Sequence, residues 1–253
     1  MTEVTKVECI RCKASHPETL YSGDDRLCVY CKADIAEQEP LPATPEPVAA
    51  AEETLEEKAR AELALRFLTR KRLLPFVERF NPDYQAGWVH KDICKRLEEF
   101  SRDVTEKKSP RLMLFMPPRH GKSTLASVAF PAWHLGRNPQ HEFISCSYSG
   151  SLAMGFSRKV RGLLREEGFK SAFKTRLDPQ SQSAEAWLTT VGGGYVAAGV
   201  GGGITGKGAH ILVIDDPVKN RDDAESSNAR DSAWDWYTST AYTRLAPGGG
   251  VLV

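Results

Sequence analysis

The sequence predicts an α/β domain with a mostly parallel central sheet flanked by helices, preceded by a small zinc ribbon. Three observations carry the prediction. An apolar run leads into a loop ending in Gly121-Lys122-Ser123-Thr124 and then into a helix-compatible stretch. Further along, an apolar run ends in the pair Asp215-Asp216. Near the N-terminus stand two Cys-x-x-Cys pairs.

In chain order, Cys9, Cys12, Cys28 and Cys31 come first. Two such knuckles read as a tetrahedral Zn²⁺ site, with Gly23-Asp24-Asp25 as a hairpin turn between them. A module of residues 1–35 buries too little core to fold unaided, so the metal would supply its folding energy. Four thiolates complete the shell, which leaves His16 as a loop residue. Residues 36–53 carry Pro40, Pro42, Pro45 and Pro47 among acidic and small residues, the composition of a stiffened linker. The main domain would then span 54–253. Cys94 and Cys146 stand alone, and Cys146 lies in an apolar run as a core thiol.

Residues 54–73 are rich in helix formers. Within Arg66–Arg79, the cations Arg66, Arg70, Lys71, Arg72 and Arg79 form the best local candidate for contact with DNA; a solvated helix face broken at Pro75 explains them equally well. The net charge is only +1, so any nucleic-acid contact must come from such a patch. Over residues 89–100, Val89, Ile93, Leu97 and Phe100 recur at helical spacing as an inward stripe.

Leu112–Met116 reads as the strand before the phosphate loop. Loop N–H groups and the following helix N-terminus present partial positive charge to phosphate oxygens. Lys122 would reach the β/γ-phosphates and the Ser123 hydroxyl would ligate Mg²⁺. The loop departs from the G-x-x-x-x-G-K-[ST] pattern, because Met116 stands where the first glycine belongs and Arg119 lies inside. Ser123–Leu135 follows as a helix, Glu142–Tyr148 as a core strand, Ser151–Glu166 as a helix bearing Arg158, Lys159, Arg161 and Arg165, and Trp187–Ala198 as a hairpin. Gly199–Gly208 is a glycine-rich loop, read either as a mobile connection or as a sensor of phosphate or of a neighbouring subunit, with Lys207 as its cation.

Ala209–Pro217 reads as a strand buried on both faces. Asp215 at its carboxyl end would hold the Mg²⁺ water shell, and Asp216 would polarise the attacking water. Taken alone, Asp-Asp-Pro is equally a strand-ending turn; the upstream phosphate loop favours the nucleotide reading. Asp222–Thr243 reads as a helix whose Trp234 and Tyr237 pack on the sheet, a stacking role on nucleic acid being the alternative. Val251-Leu252-Val253 opens a further strand, which predicts an unfinished sheet edge. No run is long and apolar enough for a membrane helix, and the N-terminus lacks the pattern of a signal peptide.

Over roughly residues 75–253 the segments together resemble the large subunit of a tailed-phage terminase. The pieces that carry the resemblance, in order, are Pro117-Pro118-Arg119-His120-Gly121-Lys122-Ser123, Phe130-Pro131-Ala132-Trp133, Ser147-Tyr148-Ser149, Ser157-Arg158-Lys159-Val160-Arg161, Ala198-Gly199-Val200-Gly201-Gly202 with Ile204-Thr205-Gly206, Ile214-Asp215-Asp216-Pro217, Ala224-Glu225-Ser226 and Thr243-Arg244-Leu245. The resemblance implies an additional-strand P-loop ATPase whose hydrolysis of ATP drives double-stranded DNA into a procapsid. It implies a homo-oligomeric ring on the capsid portal, a small terminase subunit as partner, no membrane, and the cytoplasm of a bacterial host. By position it implies that Pro118, Arg119, His120, Gly121, Lys122, Ser123, Thr124 and Asp215 bind Mg-ATP, and that Arg119 contacts the γ-phosphate. Asp216 stands where a catalytic glutamate is common, Lys207 where a trans-acting basic finger is expected, and Gln85 where adenine is recognised. The family's C-terminal nuclease is not expected in this chain, and the zinc module is an addition to the family pattern. Two other readings stay open: a zinc-ribbon binding module on a nucleotide-binding but non-hydrolysing scaffold, and a helicase-like ATPase, for which no second helicase domain is evident.

Overall fold

The computed structural model describes Lys6–Glu8, Lys13, Ser15–Pro17 and Thr54–Val253. The chain divides into two units, Met1–Thr54 and Leu55–Val253. In the first, β1 (Lys6–Glu8) and β2 (Ser15–Pro17) pair antiparallel, with Val7 opposite His16. Cys9, Cys12, Cys28 and Cys31, the Gly23-Asp24-Asp25 turn and the linker 36–53 lie outside the described residues.

The second unit is a mixed α/β fold. Its seven-stranded sheet has the order β3-β9-β8-β4-β7-β6-β5. These strands are β3 (Arg111–Leu112), β4 (Glu142–Ser147), β5 (Leu177–Gln182), β6 (Ala186–Thr189), β7 (Gly194–Gly199), β8 (Ala209–Asp215) and β9 (Leu245–Leu252). From β3 to β7 all neighbours are parallel; β6 and β5 continue antiparallel at the far edge. The central strands are apolar on both faces, as a sheet covered on both sides requires. On β8, Ile211 and Val213 join one core cluster while Leu212 and Ile214 join the other.

Helix α1 (Leu55–Lys71) packs on the helices that cover the first face, which are α2 (Leu73–Phe80), α3 (Trp88–Thr105), α5 (Gly150–Arg165) and α6 (Glu167–Ala172), together with the helix that follows the 117–121 loop. That helix begins at Lys122, widens into a π-helical stretch over Thr124–Ala129, and closes as α4 (Phe130–Arg137). The predicted stripe on α3 is core: Ile93, Leu97 and Phe100 are buried and Val89 packs against them. Pro75 lies in the first turn of α2, where its missing N–H costs no helical hydrogen bond. Cys146 is a core thiol whose pKa burial pushes up to about 12.

A polar chain crosses the otherwise apolar helix side. Ser101 Oγ lies 2.8 Å from His134 Nδ1, and His134 Nε2 lies 2.9 Å from His141 Nδ1. The His141 ring stacks on His210 at 4.3 Å, and His210 Nδ1 accepts the Glu142 N–H at 3.1 Å. Burial holds all three imidazoles below their ordinary pKa: His134 far below, His141 down to about 4.

Several expectations are corrected. The regular strand covers only Arg111–Leu112 at the start of the Leu112–Met116 run, although the Leu114 N–H still donates to the Val253 carbonyl at 2.8 Å, and Met113 and Phe115 are exposed. The Asp222–Thr243 helix is broken into α7 (Arg221–Glu225), α8 (Ser227–Trp236), a π-helical turn and a 3₁₀ turn, the break at Ser226 being fixed by its hydroxyl capping Ala229 N–H. Trp236, not Trp234, packs on the sheet; it shares the inward face with Ala241, and Trp234 is 64% exposed. Val251 and Leu252 do not leave an unfinished edge, since β9 is inserted between β3 and β8. β5 was not foreseen.

The glycine-rich connection leaves β7 at the carboxyl end of the parallel strands and returns along the second face to start β8 at the opposite end. Fully buried Ile204 anchors it in the second core cluster. It is therefore a cover for the sheet, and it is pinned by one apolar side chain among its glycines.

Candidate active site

At the carboxyl end of β8 the strand period decides where each aspartate points. Asp215 shares the parity of Ile211 and Val213, so its side chain faces the helix side. It is 6% exposed there, and Ser127 Oγ donates to its Oδ2 at 2.8 Å. Asp216 takes a left-handed backbone, φ +49°, which ends the strand and turns its carboxylate into the open. The backbone carbonyl of Asp216 accepts the Tyr148 N–H at 3.1 Å, tying the turn to the end of β4.

Opposite stands the 117–121 loop. Gly121 has φ +83°, a conformation that costs an L side chain strain, and a Cβ there would also press to 3.4 Å from the Tyr84 hydroxyl. Arg119 is left-handed as well, at φ +64°. His120 Nδ1–H donates to the Pro118 carbonyl at 2.8 Å and tightens the loop. Leu125 N–H donates to the Gly121 carbonyl at 3.0 Å, so the helix starts directly from the glycine.

These pieces converge on Lys122. Its ammonium donates to Asp216 Oδ1 and lies 3.6 Å from Asp215 Oδ1. Burial opposes its charge, but the hydrogen bond to Asp216 and the field of Asp215 outweigh burial and hold its pKa above that of an ordinary lysine. A cavity of about 300 Å³ is bounded by Pro118, Arg119, Gly121, Ser123, Thr124 and Asp216, with Lys122 at its wall. The sequence-predicted loop residues and both aspartates are thus brought together.

Two predicted residues are not in that cluster. Gln85 is exposed, next to Tyr84 in the loop that abuts Gly121. Lys207 is exposed at the start of β8, at the other end of the strand from Asp215, about 20 Å away at the usual strand rise. Three supporting residues were not foreseen. Ser127 holds Asp215. His90 accepts the Gly87 N–H on Nδ1 at 3.1 Å, so its Nε2 carries the proton and donates to the His120 carbonyl at 3.0 Å. Tyr84 packs edge-on to His90 at 5.6 Å, and its hydroxyl, pushed up to about 12 by burial, has no partner among the described residues. Ser127 had a signal: a lone hydroxyl one helical turn beyond Ser123 in an apolar run needs a buried partner. His90 and Tyr84 had none, because nothing local ties α3 to the loop.

This geometry can bind and orient a polyanion with a divalent cation. Lys122 and the loop N–H groups supply positive charge at a helix N-terminus. Asp215 Oδ2 is engaged by Ser127, so Oδ1 is the oxygen that faces Lys122, at 3.6 Å.

No curated protein matches the chain. Among solved structures, a crystal structure of the large terminase of bacteriophage HK97 is similar at 14% identity and a TM-score of 0.48, over 73% of this chain and 37% of that one. The chain thus spans little more than a third of the length of that protein. A family model of the N-terminal part of the T4-like-virus type of terminase large subunit matches residues 113–251, from the end of the first strand of the sheet through β9. That match takes in more than half of the sequence and every residue of the loop and of the Asp215-Asp216 turn, and the chain belongs to this terminase large-subunit family.

Proposed function

We propose that Leu55–Val253 is a P-loop ATPase of the additional-strand type that powers movement of double-stranded DNA during packaging of a phage genome. The observation that carries this reading is the convergence of Lys122, at a helix N-terminus, on Asp216 and Asp215 at the end of a central parallel strand. Membership in the terminase large-subunit family supplies DNA packaging as the process.

In the reading, the β- and γ-phosphates of ATP enter the loop cavity and take Lys122 from Asp216. The loop N–H groups and the Gly121 turn cradle them, and Arg119 reaches the γ-phosphate from the loop. The donor set fits Mg²⁺: a hydroxyl from Ser123 and the Asp215 oxygen that Lys122 would vacate suit a hard cation that keeps several waters. Bound there, Mg²⁺ would neutralise phosphate charge. Asp216, released from Lys122, is the group placed to orient and polarise a water for attack on the γ-phosphorus. Its side chain is one methylene shorter than glutamate, so the left-handed backbone at Asp216 is part of what brings the carboxylate forward. In the reading, adenine recognition falls to Gln85, the neighbour of Tyr84 in sequence.

Lys207, far from the Asp215 of its own subunit, could act only on a neighbour's nucleotide, which favours a homo-oligomeric ring; the portal and a small subunit follow as partners from the family. The reading includes Zn²⁺ held by Cys9, Cys12, Cys28 and Cys31, supported by their spacing.

The test is steady-state ATP turnover by the full chain with and without duplex DNA, beside Lys122→Ala. DNA-stimulated turnover that the substitution lowers by about a thousandfold is expected. Turnover that survives the loss of Lys122, or a chain that neither binds nor hydrolyses ATP, would overturn the reading.

A further inference from the structure

Opposite the phosphate loop the molecule carries a second charged hollow. A depression of about 570 Å³ is lined by Arg70, Lys71, Gly136, Arg137, Lys174 and Thr175 among others, and no carboxylate is part of its wall. It lies at the C-terminal end of the helix whose N-terminus holds Lys122, about 22 Å away at the α-helical rise.

Basic residues at helix ends often serve only to offset terminal carbonyls. Here α1, α4 and α6 end together, and several terminal carbonyls of α4 and α6 are taken by other donors. Thr175 Oγ1 lies 3.0 Å from both Leu135 O and Gly136 O, the Asn138 N–H donates to His134 O at 2.8 Å, and the Phe173 N–H donates to Phe169 O at 2.8 Å. One Arg70 nitrogen donates to Ala172 O at 3.1 Å, leaving the rest of its guanidinium free. The Arg137 guanidinium lies 4.5 Å over the ring of buried Trp133, which fixes its plane without neutralising it.

Charge pairing along α1 makes the same point. Arg60 pairs with Glu56 and Arg66 with Glu62, each at 2.6 Å, whereas Arg70 and Lys71 have no carboxylate partner among the described residues. The carboxylate whose field reaches Arg137, Glu98, is engaged by Arg72 at 2.8 Å and by the Leu73 N–H at 2.6 Å. The floor is rigid: the Phe173 ring sits where a Cβ of Gly136 would lie, at 2.6 Å. The result is a pre-shaped concavity rimmed by four exposed, unneutralised cations on three separate segments.

We propose that this depression is a contact surface for the phosphodiester backbone of duplex DNA. The inference takes duplex DNA from the reading above and adds the surface that holds it. Phosphate oxygens are the chemistry that four cations on a concave wall select, and a continuous backbone can engage several at once without any sequence being read. Free polyphosphate has the same chemistry and serves as the competing source.

The test uses the full chain without nucleotide, so that failure of the ATPase reading and failure of this one are distinguishable. Anisotropy of a labelled duplex of about 20 base pairs is followed across a NaCl series. The triple variant Arg70→Ala/Arg137→Ala/Lys174→Ala is compared with Arg60→Ala, on the same helix outside the depression, and with Arg158→Ala/Lys159→Ala on α5. The triple variant should flatten the salt slope by about 2 to 3 and weaken binding about 100-fold near 0.1 M salt, while Arg60→Ala binds like the unaltered chain. If the triple variant does not fold, Arg70→Ala and Lys174→Ala, both at exposed side chains, should each lower the slope by about 1. Unchanged duplex binding in these variants, loss confined to the α5 pair, or absence of duplex binding by the unaltered chain would overturn the proposal. So would loss of inorganic tripolyphosphate binding in the triple variant with duplex binding intact, which would make this a small-anion site.

Discussion

Ser127→Ala removes one oxygen atom and separates two roles of the helix after the loop. Ser127 is fully buried, Asp215 is 6% exposed, and the hydroxyl donates to Oδ2 at 2.8 Å. Without it, one oxygen of a buried carboxylate loses its donor, and a hydrogen bond to a charged group is worth about 1.5–3 kcal/mol. For a domain of this size that lowers the melting midpoint by about 4–10 °C. The second effect is on orientation. With Oδ2 held, Oδ1 faces Lys122 at 3.6 Å; without that restraint the carboxylate can rotate. Loss of such a supporting contact weakens metal binding about 10- to 100-fold, so the Mg²⁺ concentration for half-maximal nucleotide binding should rise by at least about tenfold. Metal-free nucleotide affinity, set by Lys122 and the loop, should stay within about twofold. Ser127→Thr keeps the hydroxyl but adds a methyl to a filled site, at a cost of about 1–3 kcal/mol. It should therefore melt lower yet retain normal Mg²⁺ dependence. Titration calorimetry with and without Mg²⁺, beside thermal melts, reads both effects. A Ser127→Ala protein that melts like the unaltered chain with unchanged Mg²⁺ dependence would refute the reasoning.

The histidine chain makes the domain acid-labile. His141 titrates near 6.5 when unfolded and at about 4 when folded, so between these values the unfolded chain binds more protons and stability falls as pH drops. The shift corresponds to about 3 kcal/mol lost across that window, and urea unfolding at pH 7 and pH 4.5 should show a shallower pH dependence in His141→Gln; an unaltered dependence counts against the assignment. Gly121→Ala, forced to keep φ +83° against Tyr84, should cost about 1–2 kcal/mol in the loop and weaken binding of a fluorescent nucleotide at least about tenfold, whereas unchanged affinity would show that the loop relaxes freely. The full chain should carry about one zinc per molecule, lost in Cys28→Ser, and metal analysis finding none would remove the ribbon from the reading.

Much of the fold was legible because the central strands obey simple patterns. Ala209–Asp215 carries the unbroken apolar run Ile211–Ile214, Glu142–Ser147 sets Phe143, Ile144 and Cys146 among small serines, and both are buried on two faces. What failed did so where tertiary contacts outweigh the pattern. Leu112–Met116 has strand composition, yet it lies at the sheet edge, its regular pairing ends at Leu112, and Met113 and Phe115 are left exposed. The choice between Trp234 and Trp236 depended on helix phase, and the π-helical turn after Trp236 shifts that phase by a residue, which a regular period cannot reveal.

The site divides along the same line. Lys122, Ser123, Asp215 and Asp216 announce themselves because phosphate and metal chemistry restricts which residue types can serve at a loop and a strand end. The groups that hold them do not, since Ser127, His90 and Tyr84 act through single contacts that any polar residue in the right place could make. Lys207 shows the opposite limit: its position in the sequence suggested a catalytic role, but β8 separates it from the Asp215 end of the strand. The helix from Lys122 to Arg137 links what the sequence presented as unrelated. At one end it borders the loop cavity, at the other Arg137 joins Arg70 and Lys71 from a run that read equally well as a solvated face. The structure divides that run. Arg66 and Arg79 close on Glu62 and Arg72 on Glu98, while Arg70 and Lys71 have no carboxylate partner among the described residues.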